Sequence, residues 1–240
     1  MKPMQLKRNY ILTGLLLSTF LAAIEGTVIG PAGPRIVGDL GGARLLSWVF
    51  TAYLLTMSVT TPIFGKISDL YGRKLVFVIS SLLFLAGSVL SGTAHSMGQL
   101  IGFRALQGIG AGGLLPVTFT IIGDIYSIEE RSKIQGWISS VWGISSLIGP
   151  LLGGYVVDSL NWRWAFYFNV PFGLLSLYFI IVYLHEQIEK RKVKVDYLGA
   201  VTFTIGVSAL LIGLATGGQQ LAWASPWLIG MFAVAAGFLV

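Results

Sequence analysis

Seven stretches of about 20 mostly apolar residues, at about 10–30, 45–64, 75–92, 100–123, 134–157, 164–184 and 197–217, constrain this chain more than any other feature. Such a run, wound as a helix at ~1.5 Å per residue, crosses the ~30 Å hydrocarbon layer of a bilayer and satisfies its own backbone on the way. An eighth run begins at Pro226, with Trp223 and Trp227 suited to an interfacial belt, and its remaining residues would rise only ~22 Å. The expectation is a chain cut off inside the bilayer. Composition agrees: 55% of residues are hydrophobic and 11% charged, and the mean hydropathy is +0.79, too apolar for a soluble domain. Lys2, Lys7 and Arg8 ahead of the first run also suit a secretion signal. That run is longer than a signal core and lacks a small-x-small cleavage site before Glu25, so it is counted as a span. The absence of cysteine removes disulfides, thiolate metal sites and cysteine nucleophiles.

Basic residues in short loops set orientation. With the N-terminus in the cytoplasm, inner segments carry Lys2, Lys7, Arg8, Lys66, Arg73, Lys74, Arg131, Lys133, Lys190, Arg191, Lys192 and Lys194, and outer loops only Arg35, Arg44 and Arg163. The expected protein is therefore multi-pass in the plasma (inner) membrane. The net charge of +6 reflects this loop bias and contact with anionic lipid, and makes no case for nucleic acid. The basic run "EKRKVKVD" reads as a solvated connection. A boundary near residue 190 divides a bundle of six spans, 1–190, from span seven and the partial eighth, 191–240.

Three short strings mimic soluble chemistry. "GIGAGG", Gly108 to Gly113, fits a dinucleotide loop but lies inside an apolar span with no strand before it, so helix packing explains it better. "HEQIE" at His185 lacks the second histidine of a zinc pair. "GISS" at Gly143 has no base at its depth, since His95 and His185 fall at span ends. No metal, cofactor or enzymatic activity is expected.

Two ionisable residues lie within spans, Glu25 and Arg104, where a charge costs at least ~2.5–3.5 kcal/mol. Counting from Ile11, Glu25 is roughly 9 Å below the outer apolar edge; counting from Leu100, Arg104 is about 6 Å down. The pair is expected to face each other across a cavity. Burial strengthens a carboxylic acid's hold on its proton and a nearby guanidinium weakens it, so relative movement of the two would load or release a proton. A glutamate snorkelling to the interface and a fixed structural ion pair are the alternatives.

Between spans two and three, "GKISDLYGRK" resembles the loop motif G-x-x-x-D-x-x-G-R-K of the major facilitator superfamily. "LIGFRALQGIGAGG" resembles that family's fourth-span motif R-x-x-Q-G-x-G-A, and "GISSLIGPLLGG" its fifth-span motif G-P-x-x-G-G, associated with antiporters. "IEGTVIGPAGP" resembles the first-span motif of the fourteen-span drug:proton antiporters, with Glu25 in place of the usual Asp and Gly30 in place of the usual Asn. "WRWAFYFNVPFG", Trp162 to Gly173, resembles the start of that branch's sixth span.

The resemblance implies an all-α transmembrane fold: an N-terminal six-helix bundle built as a 3+3 inverted repeat, a linker helix, and part of an eighth. It implies proton-coupled efflux of small lipophilic, cationic compounds, in the membrane lipid, by alternating access against a C-terminal bundle of the same polypeptide. Glu25, Arg104 and Gln107 would form the coupling site and substrate cavity. In the loop motif Asp69 would meet a helix N-terminus of the other half, Arg73 would pair with Asp124, Gly65 and Gly72 would let the loop turn tightly, and Lys74 would serve orientation. In span five Gly149, Gly153 and Gly154 would present a flat face against a neighbour, with Pro150 kinking the helix. Of the aromatics, Trp48, Tyr53, Trp137 and Trp142 are assigned to no substrate. A symporter of the same fold, and a non-transporting or truncated membrane subunit, are the other readings.

Overall fold

The computed structural model describes residues 2–186, 197–218 and 220–239. They form α1 (Lys2–Leu40), a short 3-10 turn (Ala43–Leu45), α2 (Leu46–Tyr71), α3 (Arg73–Gly92), α4 (Met97–Ile125), α5 (Ile128–Ser159), α6 (Trp164–Tyr167), α7 (Asn169–Tyr183), α8 (Tyr197–Thr216) and α9 (Pro226–Leu239). Six of the spans so formed are both long and apolar enough to cross a membrane. The 32-residue α5 is not among these six, because serines and glycines dilute its apolar run.

Several boundaries differ from the sequence expectation. The first span continues through Pro31 and Pro34 to Leu40, and the second continues to Tyr71, so Gly65 and Asp69 lie in helix α2. Only Gly72 makes the turn. Its φ of 97° is open to glycine at little cost, so Gly65 has no turning role. The sixth span breaks at Phe168 into α6 and α7. Pro171 explains the break, since its ring would collide with the carbonyl of Tyr167 in a continuous helix and it has no N–H to offer. The boundary expected near residue 190, with Lys190, Arg191, Lys192 and Lys194, lies outside the described residues.

Spans α1–α3 and α4–α7 make two sets of three. Three is odd, so the second set enters the membrane from the opposite face, an inverted repeat. The most extensive packing is of α4 on α2 and α3 and of α1 on α5 and α7, while α8 packs on α9 and leans against α2. Lipid removes most of the hydrophobic drive for helix association, so close backbone approach has to supply the contact. The "GIGAGG" run does this for α4: Gly108 and Gly112 abut Tyr53, Thr56 and Thr60 of α2, while Gly110 and Gly113 abut Ser80 and Phe84 of α3 and Phe64 of α2. One cluster of buried apolar residues, including Leu15, Phe77, Phe84 and Ile121, fills one half of the bundle, and a second, including Ile29, Val49, Leu100 and Phe166, fills the other.

Polar clips close the end where the N-terminus lies. Ser127 and Glu130 form a capping box before α5: Glu130 Oε2 accepts from the Ser127 N–H at 3.0 Å, and the Glu130 N–H donates back to Ser127 Oγ at 3.4 Å. Arg8 of α1 donates to the same carboxylate at 2.6 Å and lies 4.4 Å from the Tyr126 ring centre. The Ser127 backbone N–H first, then the Arg8 side chain, hold the Glu130 carboxyl below the ordinary carboxylate range.

Candidate functional site

Between the two apolar clusters lies a polar centre built from five helices, α1, α2, α3, α4 and α7. Glu25 on α1 and Arg104 on α4 form an ion pair through Arg104 Nη1 and Glu25 Oε1, with both side chains almost wholly unexposed. They were expected to face each other across a cavity; they are instead in direct contact, with no space between them. Desolvating two charges is costly, and the surrounding bonds offset it. Arg104 Nη1 also donates to Gln107 Oε1 at 2.7 Å, and Nε donates to the Val49 carbonyl at 3.2 Å. The Tyr53 ring lies 4.1 Å from the guanidinium carbon, a buried cation–π contact. Gln107 is one helical turn from Arg104 on the same face of α4, so helix spacing alone places it there. Its Nε2 has no hydrogen-bond partner among the described residues.

The second oxygen of Glu25 is held by a residue that the sequence reading missed. Asn169, the first residue of α7, donates through Nδ2 to Glu25 Oε2 at 2.7 Å and to Ser88 Oγ at 2.9 Å. Ser88 in turn donates to the Phe166 carbonyl at 2.8 Å, one of the groups at the break between α6 and α7. Close approach of α3 to α4 positions this serine: a Cβ at Gly87 would lie 2.6 Å from Gln107 Cα. A polar Asn inside the apolar string "FNVPF", just before a proline, was the available signal.

A separate group occupies the α2–α3 corner. Arg73 lies 3.1 Å from Asp69 and 2.9 Å from Asp124, drawing α2, α3 and α4 together. Lys74 is more than an orientation charge, since its Nζ donates to the Ile181 carbonyl at 2.6 Å near the end of α7. Glu186, also missed, accepts from the backbone N–H groups of Arg73 and Lys74 at 2.8 and 3.0 Å. It caps the free donors at the start of α3. Nothing lies within 4 Å of the Cβ position of Gly65, and its carbonyl accepts from Ser68 Oγ at 2.6 Å within α2, so it makes no close approach to a neighbouring helix.

On α5, Gly149 rests against Thr27 and Gly153 against Val28 and Pro31 of α1, all within two turns beyond Glu25. Thr27 Oγ1 donates to the Ser145 carbonyl across this seam at 3.3 Å. Gly154 does not share it: nothing lies within 4 Å of its Cβ position, and helical rotation turns it away from its neighbour Gly153. Pro150 is exposed and α5 runs through it as one helix. Of the aromatics, Tyr53 is buried at the polar centre, whereas Trp137 and Trp142 face outward.

The family model described as Major Facilitator Superfamily matches residues 15–240. The chain is 44% identical over 231 residues to the "Multidrug transporter protein MdtP" of Bacillus subtilis (strain 168), covering 96% of this chain and 43% of that protein. It is 44% identical over 236 residues to "Multidrug resistance protein 3" of the same strain, covering 98% and 46%. It is 34% identical over 239 residues to "Efflux pump FUS6" of Gibberella moniliformis (strain M3125 / FGSC 7600), covering 95% and 42%. The chain thus spans less than half the length of these relatives. Among solved structures it resembles the human organic anion transporter MFSD10 (TETRAN), with a TM-score of 0.67 at 20% identity over 92% of this chain and 59% of that one. That likeness supports the six-span bundle; together with the family match over almost the whole length, it leads to one conclusion: the chain belongs to the major facilitator superfamily.

Proposed function

We propose that this chain works as the N-terminal half of a multidrug efflux transporter that exchanges lipophilic cations for protons, with Glu25 as the proton carrier. The observation that carries this reading is a buried carboxylate whose two oxygens are held by different helices, Arg104 on α4 and Asn169 on α7. Movement of either helix relative to α1 changes the charge and hydrogen bonding around Glu25, and with them its affinity for a proton. Drug and proton then compete through one group: the cation favours the ionised carboxylate, and protonation removes the charge that attracts it. The relatives named as multidrug transporters and efflux pumps support drug export as the overall activity.

In this reading the N-terminus is cytoplasmic, the membrane is the plasma membrane, and a second bundle rocks against α1–α7. The seam of Gly149 and Gly153 on α1 opposes ion leak near the carboxylate. Asp69, held by Arg73, meets a helix N-terminus of the second bundle and stabilises the outward-facing state, in which the cytoplasmic side is closed.

The test is export of a fluorescent lipophilic cation driven by a pH gradient in everted membrane vesicles. Glu25→Gln abolishes proton-driven export with expression intact, and Glu25→Asp retains it. Unchanged export by Glu25→Gln would remove this residue from the mechanism.

A further inference from the structure

A groove of about 770 Å³ runs between α2 and α8, lined by none of the residues of the polar centre. Its walls are mainly apolar, with Pro62, Ile67 and Leu70 on one side and Ala200 and Phe203 on the other; among the described residues Lys66 is its only charged lining residue. The size is that of an ordinary small-ligand site, about 300–1,000 Å³. Both walls are membrane-crossing helices, and the outer face of α8 is open, with Leu198 75% and Val201 55% exposed. On this side the groove is open along α8, and lipid would have access to it.

Lys66 has no hydrogen-bond or ion-pair partner among the described residues. The nearest carboxylate along the helix, Asp69 one turn on, is engaged by Arg73. Lys74, at the same corner, is occupied by the Ile181 carbonyl. A single uncommitted ammonium above an apolar floor, in a cleft between two spans, has a definite complement: an anionic head on a hydrocarbon tail. A lipophilic cation is repelled by Lys66, and a soluble phosphate gains nothing from the apolar walls.

We propose that this groove binds one anionic phospholipid of the leaflet that meets the α2–α3 corner, its phosphate on Lys66 and an acyl chain between α2 and α8. The site is independent of the drug and proton path. A single lysine near a membrane surface favours an anionic over a zwitterionic lipid by about fivefold.

The experiment measures lipid retention by the full chain in detergent, using native mass spectrometry with phosphatidylglycerol, phosphatidylcholine and glycerol phosphate as probes. The chain retains phosphatidylglycerol over phosphatidylcholine by about fivefold and does not retain glycerol phosphate. Lys66→Ala removes the preference, Lys66→Arg keeps it, and Ala200→Trp, which fills the groove, lowers retention of both lipids. A preference that survives Lys66→Ala, or glycerol phosphate retained as well as the lipid, overturns the proposal. A benzophenone side chain at position 63, in vesicles of equimolar phosphatidylglycerol and phosphatidylcholine, labels lipid. Labelling of protein in its place, whether a second copy or another segment, would also overturn it.

Discussion

Replacing Arg104 by methionine puts an apolar side chain of similar length on α4 and leaves Asn169 as the donor to Glu25 among the described residues. Glu25 Oε1 then has no counter-charge, and Gln107 Oε1 loses its 2.7 Å partner. Val49 keeps its helical bond but loses the 3.2 Å contact from Arg104 Nε. Stranding one member of a buried ion pair costs about 3–5 kcal/mol. Leaving the Gln107 carbonyl without a donor adds about 1–3 kcal/mol. Glu25→Gln alone leaves Arg104 charged and buried but still bonded to Gln107 and Val49 and resting on Tyr53, and so costs less. In the double variant the stranded charge is gone, so the two changes do not add. A coupling of about 2–3 kcal/mol follows. The assay is a double-mutant cycle on the full chain in mixed micelles, with unfolding free energies from denaturant titration. Additivity within about 0.5 kcal/mol would refute the inference that Glu25 and Arg104 act as one unit.

Two further predictions concern packing and the clip at the N-terminal end of the bundle. A Cβ at Gly110 would lie 2.6 Å from the Ser80 carbonyl oxygen and 2.7 Å from Phe84 Cα, both backbone atoms that cannot yield separately. Gly110→Ala therefore costs about 1–3 kcal/mol, whereas Gly102→Ala, with nothing within 4 Å, is neutral or gains up to ~1 kcal/mol. Thermal unfolding followed by tryptophan fluorescence separates the two, and equal shifts would contradict the α3–α4 contact. At Glu130 the folded carboxyl is held below its ordinary range, so its contribution to stability is present above the unfolded value of about 4.3 and is lost as pH falls through the folded value. Wild type and Glu130→Gln accordingly differ most above ~pH 5 and converge in acid. A difference that stays constant across this range would count against the Arg8–Glu130–Ser127 clip.

The sequence by itself determined the solvent and the helical character of the apolar runs. Hydropathy is set residue by residue, and an apolar run in lipid has to be a helix because its backbone finds no other partners. It also singled out Glu25 and Arg104, since an ionisable residue in such a run is rare wherever it points. Only the tertiary structure decided what those charges touch. Asn169 lies 144 residues from Glu25, and Glu186 lies 113 from Arg73, so no local pattern joins them. Their meeting depends on the rotation and register of each helix, and these depend on where glycine lets two backbones close up. Gly149 and Gly153 lie against α1 while Gly154, in the same motif, meets open space. Spacing along one helix says which residues share a face, but the neighbour against which that face comes to rest is a property of the whole bundle.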